Sequence, residues 1–300
     1  MRRGVAALAV VVTLGACGGG GSDDEAADGR PQVAAAFYPL FEAAQRVGGD
    51  RVQVRNLTPA GSEPHDLELS SRQVDRIEDA DVLVFLGRGF QPALEKAADR
   101  AKGAKVDVLG AVGSLLPAPV GDADLEIDPH VWLDPRLMRA MVARVATALS
   151  EADPPNAGAY EANAVAYSGE LDGLDASFRQ GLAQCERRVM VTSHDAFGYL
   201  ARAYDLTQDA IAGLEPESEP TPQRLAELAA KVRADGTKTI FYETLVSPKV
   251  AQTLAREAGV GTAVLDPLEG LSEDDAKAGK TYVSVMRENL AAVRQALGCR

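Results

Sequence analysis

The protein is 300 residues long and acidic, with a formal net charge of -13 at pH 7 and 46% hydrophobic residues. This charge disfavours binding to nucleic acid, whose phosphates attract basic surfaces. The length exceeds what one hydrophobic core usually serves, so the sequence predicts two lobes.

The first residues have the pattern of an export signal. A basic start (Arg2 and Arg3) precedes residues 5–16, which are apolar or small but too few to span a membrane. The end of this stretch, Leu-Gly-Ala-Cys, resembles a bacterial lipobox, so we expect loss of the signal peptide 1–16 and lipidation of Cys17. A plain signal peptide with a chance cysteine is the alternative. Residues 17–30, rich in Gly, Ser, Asp and Glu, are then expected to form a disordered, lipidated tether.

Short β-rich runs alternate with helical runs in the first half of the remaining chain. This alternation favours an α/β lobe with a mainly parallel sheet. The predicted strands are 32–37, 52–57, 82–86 and 106–109, and the predicted helices are 40–47, 70–80, 92–101 and 135–151. Residues 115–128 have no clear period and are predicted to be a loop.

A longer helix is predicted after Pro154 and Pro155, over residues 156–182. Its apolar residues recur every three or four positions and therefore share one face. They are Tyr160, Ala164, Tyr167, Leu171, Leu174, Phe178 and Leu182. At 1.5 Å per residue this helix spans roughly 40 Å, enough to cross a lobe. A coiled-coil dimer is the alternative, but Gly169 and Gly173 weaken that pattern, and we expect a monomer.

The strand–helix pattern restarts after the long helix. The predicted strands are 188–192, 206–212, 239–242 and 262–265, and the predicted helices are 196–204, 221–234, 248–258 and 281–297. We therefore expect an N-terminal α/β lobe at 31–152, a connecting long helix within 153–185 and a C-terminal α/β lobe at 186–300.

Two cysteines remain after the expected processing, Cys185 and Cys299. Two thiols in an exported protein more often pair than stay reduced. The sequence therefore predicts a disulfide that ties the last helix to the start of the second lobe.

The chain has only three histidines, and each lies in a short loop-like motif. His65 occurs in GSEPHDLELS, His130 in DPHVWLDP and His194 in TSHDAFGYLA. Imidazole is a preferred ligand of zinc and related metals. His65, His194 and Asp266 follow predicted strands, and ligands gather at the carboxyl ends of parallel strands. With two candidates in each lobe, the sequence predicts one metal site in the cleft, built from His65, His130, His194 and Asp266.

The ordered set of motifs resembles the zinc- and manganese-binding lipoproteins of bacterial ABC importers, the cluster A-I solute-binding family. The matching stretches cover nearly the whole mature chain. They are AAFYPL, GSEPHDLELS, ADVLVFLG, DPHVWLDP, VTSHDAFGYLARAYDL, GLEPESEPTP, FYETLVSPKVAQTLAREAGV and VLDPLEGL. The resemblance implies two (β/α)4-type lobes joined by one long rigid helix. It also implies one metal ion between the lobes, with ligands at His65, His130, His194 and Asp266.

Further carboxylates lie near these motifs. Glu243 ends a predicted strand and could orient a ligand histidine from behind, although a helix-start role is equally open. Glu215, Glu217 and Glu219 lie in a Pro-bounded loop, where a role near the metal and a solvated turn are both open. Residues 121–128 are acidic and lack histidine, unlike the His- and Asp-rich loop of many zinc-binding members, so this loop does not indicate the metal.

The resemblance implies an extracytoplasmic receptor, not an enzyme, anchored to the membrane by its N-terminal lipid. It would capture a divalent metal ion and deliver it to an ABC permease. Zn²⁺ is predicted because three imidazoles form a softer site than manganese prefers, and Mn²⁺ is the alternative. Two other classes stay open, an extracytoplasmic zinc hydrolase and a metal-stabilised adhesin. The chain lacks the HExxH pair of many zinc hydrolases.

Overall fold

The computed structural model describes residues 29–119 and 125–300. The predicted signal peptide, Cys17, residues 18–28 of the tether and residues 120–124 lie outside this part of the chain. Residues Pro31–Arg300 form one compact unit, and the lobe boundaries given above stay predictions. Within this unit, the chain builds two four-stranded parallel sheets in succession.

The first sheet has the strand order β2-β1-β3-β4. Its elements are β1 Gln32–Ala35, α1 Tyr38–Gly48, β2 Gln53–Asn56, α2 Ser71–Asp79, β3 Val82–Phe85, α3 Pro92–Ala98, β4 Ala104–Asp107 and α4 Pro135–Ala152. Strand β1 pairs on both sides, so Val33 lies opposite Val54 in one neighbour and Val82 in the other. Such a strand is covered on both faces, which explains its uninterrupted apolar sequence.

The second sheet repeats this order as β6-β5-β7-β8. Its elements are β5 Val189–Thr192, α6 Gly198–Ala203, β6 Thr207–Ala210, α7 Pro222–Ala234, β7 Thr239–Tyr242, α8 Lys249–Ala258, β8 Gly261–Val264, α9 Glu273–Lys277 and α10 Tyr282–Leu297. Two parallel sheets with covering helices confirm the predicted fold class. In each sheet the first strand lies between the second and third, which creates a crevice where the chain reverses direction across the sheet.

The long helix α5 runs over Ala157–Gly181, close to the predicted 156–182. The predicted apolar face is buried along its whole length. The helix packs against α1 and α4 on one side and α10 on the other, so it joins the two halves of the fold. With 25 residues it is roughly 38 Å long.

Most elements end within three residues of their predicted bounds, and two differences have a clear physical cause. Strand β4 ends at Asp107, whose carboxylate accepts a hydrogen bond from the backbone N–H of Leu109 (3.0 Å) and caps a 3-10 turn over Val108–Ala111. This local capping stops the strand two residues before its predicted end. Helix α9 has no buried residue, so no apolar pattern predicts it.

A disulfide joins Cys185 to Cys299, the pair expected from the sequence, with an S–S distance of 1.98 Å. It connects the segment after α5 to the residue that follows the C-cap of α10. In the described part of the chain, no helix combines the length and apolar character needed to cross a membrane.

Candidate metal centre

Four buried side chains converge between the two sheets. His65, His130, His194 and Glu269 each offer one ligand atom, and these atoms all lie within 4.8 Å of one another. The structure thus brings together the three histidines expected from the sequence, and the carboxylate beside them comes from Glu269. Glu269 follows β8 on the loop before α9.

His65 lies on the loop between β2 and α2. Its backbone N–H donates to the carboxylate of Glu63 (3.1 Å), and Gln91 donates to the carbonyl of Pro64 (3.1 Å). The imidazole stands edge-on to the ring of Phe90, with centroids 4.7 Å apart. The two hydrogen bonds fix the backbone of the His65 loop, and Phe90 packs against one side of the imidazole. The orientation of the ring is therefore set before any ion binds.

His130 is the residue before a 3-10 turn over Val131–Leu133. One carboxylate oxygen of Asp128 accepts a hydrogen bond from the His130 backbone N–H (2.9 Å) and lies 2.8 Å from its Nδ1. The neighbouring Trp132 packs beside the imidazole and donates its indole N–H to the carbonyl of Pro267 (2.7 Å). Since Pro267 precedes Glu269 by two residues, this bond ties the His130 loop to the Glu269 loop.

His194 follows β5, at the crevice of the second sheet. Its carbonyl accepts hydrogen bonds from Thr192 (2.8 Å) and Gln208 (2.9 Å). Its Nδ1 lies 2.9 Å from the carboxylate of Glu243, which also accepts a hydrogen bond from Ser193 (2.7 Å). The contact predicted for Glu243, behind a ligand histidine, is therefore present. It leaves Nε2 of His194 directed toward the centre of the cluster.

Glu269 lies at the centre of the cluster. Its Oε1 is 3.0 Å from Nε2 of His130, 3.1 Å from Nε2 of His194 and 3.5 Å from Nε2 of His65. Ligand atoms about 2.0–2.2 Å from a tetrahedral zinc ion lie roughly 3.3–3.6 Å apart. The N–O separations fall close to this range, and the donor set of three imidazoles and one carboxylate is one that zinc accepts. The residues therefore fit a tetrahedral transition-metal site.

The charges of the cluster shift its proton affinities. Burial lowers the pKa of His65, but the neighbouring carboxylates of Glu215 and Glu269 outweigh it and raise the pKa to about 10. For His194, the charges of Glu243 and Glu269 likewise overcome burial, so its pKa is well above the ordinary value. Burial raises the pKa of Glu269, yet the surrounding histidines hold it well below its usual range. In the metal-free cluster, His65 and His194 therefore hold their protons more tightly than ordinary histidines, beside the carboxylate of Glu269.

Asp266, the fourth ligand predicted from the sequence, lies outside the cluster, where Glu269 stands beside the three histidines instead. Its carboxylate accepts a hydrogen bond from the backbone N–H of Leu268 (2.7 Å) and another from the hydroxyl of Thr244 (3.1 Å). Both contacts turn it into the loop rather than toward the histidines. Burial raises its pKa to about 6. Asp266 shapes the loop that carries Glu269.

Two more carboxylates approach His65, those of Glu215 and Glu63. The sequence left a role of Glu215 near the metal open and gave no prediction for Glu63. Glu215 places its Oε1 3.4 Å from Nδ1 of His65, whereas Glu217 and Glu219 on the same loop are exposed. Burial and the nearby charge of Glu269 raise the pKa of Glu63 to about 9. Glu63 stands two residues before His65, and that proximity was the one signal in the sequence. The expected lipidation site Cys17 lies outside the described residues.

Two α/β lobes that enclose a buried three-histidine, one-carboxylate cluster define a metal-binding receptor of the solute-binding type. The family model described as "Zinc-uptake complex component A periplasmic" matches residues 33–296. The chain belongs to this family, which confirms the resemblance stated from its motifs.

Known relatives support this assignment. "Zinc-binding lipoprotein AdcA" of Streptococcus pneumoniae serotype 4 is 39% identical over 286 residues, which are 91% of this chain and 57% of the relative. "High-affinity zinc uptake system protein ZnuA" of Bacillus subtilis is 33% identical over 305 residues, 96% of this chain and 95% of that protein. The crystal structure of the Zn(II)-bound ZnuA-like domain of S. pneumoniae AdcA has a TM-score of 0.77 and 39% identity, covering 89% of this chain and 99% of that one. The chain thus spans little more than half the length of AdcA.

Proposed function

We propose that this protein is an extracytoplasmic receptor that captures zinc and delivers it to an ABC import permease. The observation that carries the proposal is the buried cluster of His65, His130, His194 and Glu269, whose ligand atoms lie within 4.8 Å of one another. The names of its relatives, a zinc-binding lipoprotein and a high-affinity zinc uptake protein, agree with this reading.

The composition of the cluster favours a carrier over a hydrolase. Catalytic zinc sites keep one position open for water or substrate, whereas structural sites use four protein ligands. Four convergent protein donors, all buried, leave little room for an attacking water. A receptor needs such a closed site, because it must hold the ion until it reaches its partner.

The donors also favour zinc over manganese. Three imidazole nitrogens are softer than the oxygen ligands that manganese prefers, and manganese lies lowest in the affinity order of divalent first-row ions. One carboxylate suits either metal, so the nitrogen count decides. Zinc is therefore the proposed cargo.

The experiment is metal analysis of mature protein purified without chelator, followed by competition titration with zinc and manganese. We expect one zinc per chain, and we expect the His194→Ala variant to lose most of its zinc. Strains that lack the gene should grow poorly under zinc chelation and recover when wild-type protein, but not the variant, is restored. Full growth of the deletion strain in zinc-poor medium would contradict the transport role.

Anchoring by a lipid on Cys17 is part of the proposal and is supported by the lipobox-like Leu-Gly-Ala-Cys sequence. Cys17→Ser should move the protein from the membrane fraction to the soluble fraction without changing its zinc content. Equal membrane retention of both proteins would disprove the anchor.

A further inference from the structure

Each histidine of the cluster has a carboxylate at its outward-facing Nδ1, and one of these carboxylates differs in origin. Asp128 lies two residues from its own histidine, and Glu243 at the end of β7 serves His194 of the adjacent strand β5. Glu215, in contrast, comes from the loop between β6 and α7 in the second half of the fold. It approaches His65, which belongs to the first half (3.4 Å). This contact therefore crosses the cleft.

Glu215 is also the outermost of the three carboxylates. Its side chain is 31% exposed, whereas the side chains of Asp128 and Glu243 are 6% and 1% exposed. The His65 side chain beneath it is 1% exposed. An ion bound at the histidines would be shielded from water on this side by His65, and His65 is in turn covered by Glu215.

The loop that carries Glu215 is anchored on the side that precedes this residue. Leu214 is fully buried, and the backbone N–H of Asp195 donates to the carbonyl of Gly213 (2.9 Å), so the loop is anchored beside His194. After Glu215 the chain turns outward, and its next two acids are exposed. Glu215 thus stands where the anchored part of the loop meets the solvated part, and small motions of the outer part can lift its carboxylate from His65.

We propose that Glu215 is a positioning residue that closes the metal site across the cleft and sets the rate at which the ion leaves. Glu215 faces Nδ1 of His65 in an ion-pair contact of 3.4 Å, and a carboxylate on that side of an imidazole favours the tautomer and orientation that present Nε2 to the ion. When Glu215 withdraws, His65 loses this restraint and becomes the first ligand to detach. The inference rests on the proposed function, since it concerns the same ion.

The test is the zinc release rate of the mature protein, followed by stopped-flow transfer to a chromophoric chelator in excess. Loss of such an outer partner typically weakens metal affinity by roughly 10- to 100-fold, and most of such a change appears in the dissociation rate. We expect roughly tenfold faster release from Glu215→Gln and a larger increase from Glu215→Ala, because glutamine keeps an acceptor oxygen. Glu217→Gln, which removes the same charge from an exposed position of the same loop, is the matched control and should release zinc at the wild-type rate.

A purely structural role would change the fold and not the ion. We therefore expect the circular dichroism spectrum of metal-free Glu215→Gln to match that of the wild type, although its melting temperature should fall because the charge that stabilises protonated His65 is lost. The visible spectrum of its Co²⁺ form should also stay tetrahedral. Release rates of both Glu215 variants within twofold of the wild type would overturn the inference alone, and so would equal acceleration by Glu217→Gln. If the wild-type protein took up no zinc, the proposed function would fail and this inference with it.

Discussion

Replacing Glu269 by alanine tests which acid completes the metal centre. Its Oε1 lies within 3.5 Å of all three imidazole Nε2 atoms, so the substitution removes both the proposed fourth ligand and a negative charge that the three imidazoles share. Breaking a buried charge pair costs about 3–5 kcal/mol, and a water molecule entering the fourth position recovers part of it. At about 1.4 kcal/mol per tenfold change, we expect the zinc dissociation constant to rise roughly a hundredfold or more.

The matched variant is Asp266→Ala on the same loop. It removes two hydrogen bonds, to the N–H of Leu268 and the hydroxyl of Thr244, each worth about 1 kcal/mol. We expect a loss of about 2 kcal/mol in the unfolding free energy of the metal-free protein and a fall in zinc affinity of roughly tenfold or less. Competition with a calibrated zinc chelator and denaturant unfolding measure both quantities. A larger loss of zinc affinity in Asp266→Ala than in Glu269→Ala would refute the assignment of Glu269.

Four further outcomes follow from the cluster and its surroundings. The pKa of His65 is raised to about 10 and that of His194 lies well above its ordinary value, so zinc binding at pH 7.5 should release about two protons. Calorimetry in buffers of different ionisation enthalpy measures this proton release. The same raised pKa values stabilise the metal-free fold, and this stabilisation is fully present below about pH 6.5 and is lost as pH rises through about 10. The melting temperature of the metal-free protein should therefore fall over this interval, and a rise would contradict the prediction. Serine in place of both Cys185 and Cys299 should lower the unfolding free energy by about 4–5 kcal/mol, since the disulfide closes a loop with a sequence separation of 114. Equal denaturation midpoints of the variant and the wild type would exclude a stabilising role of the disulfide. Manganese at a concentration equal to that of zinc should leave the zinc bound, as metal analysis after dialysis would report.

The clustering of the three histidines could be predicted because the sequence signals their positions directly. His194 directly follows the apolar strand β5, and His65 lies on the loop after β2, and parallel strands place their carboxyl ends at one edge of a sheet. Most of the strands and the long helix α5 were predictable from their apolar residues. A strand buried on both faces shows a run of apolar residues, and a helix buried along one stripe shows apolar residues at every third or fourth position. The capped end of β4 shows no such pattern, because a single aspartate decides it.

The approach of Glu269 to the three histidines could not be predicted, because it depends on one backbone conformation. Asp266 directly follows a strand and precedes a proline, so a sequence reading assigns it to the strand end. In the structure, Leu268 adopts a left-handed conformation (φ 57°), which is uncommon for a residue other than glycine. This turn directs the Asp266 carboxylate to the Leu268 N–H and Glu269 toward the histidines. No pattern of residue types shows a leucine with positive φ.

The architecture around the site argues that zinc leaves through a loop movement and not through wide separation of the two halves. Three buried hydrogen bonds join those halves beside the cluster. The Tyr282 backbone N–H donates to Glu42 (2.6 Å), the Tyr282 hydroxyl to the Trp132 carbonyl (2.6 Å) and the Trp132 indole N–H to the Pro267 carbonyl (2.7 Å). Opening the cleft would break all three bonds, at a net cost of about 0.5–1.5 kcal/mol each, and would also bend α5. Displacing the partly exposed carboxylate of Glu215 breaks none of these bonds, so it offers the ion a path of lower free energy out of the site.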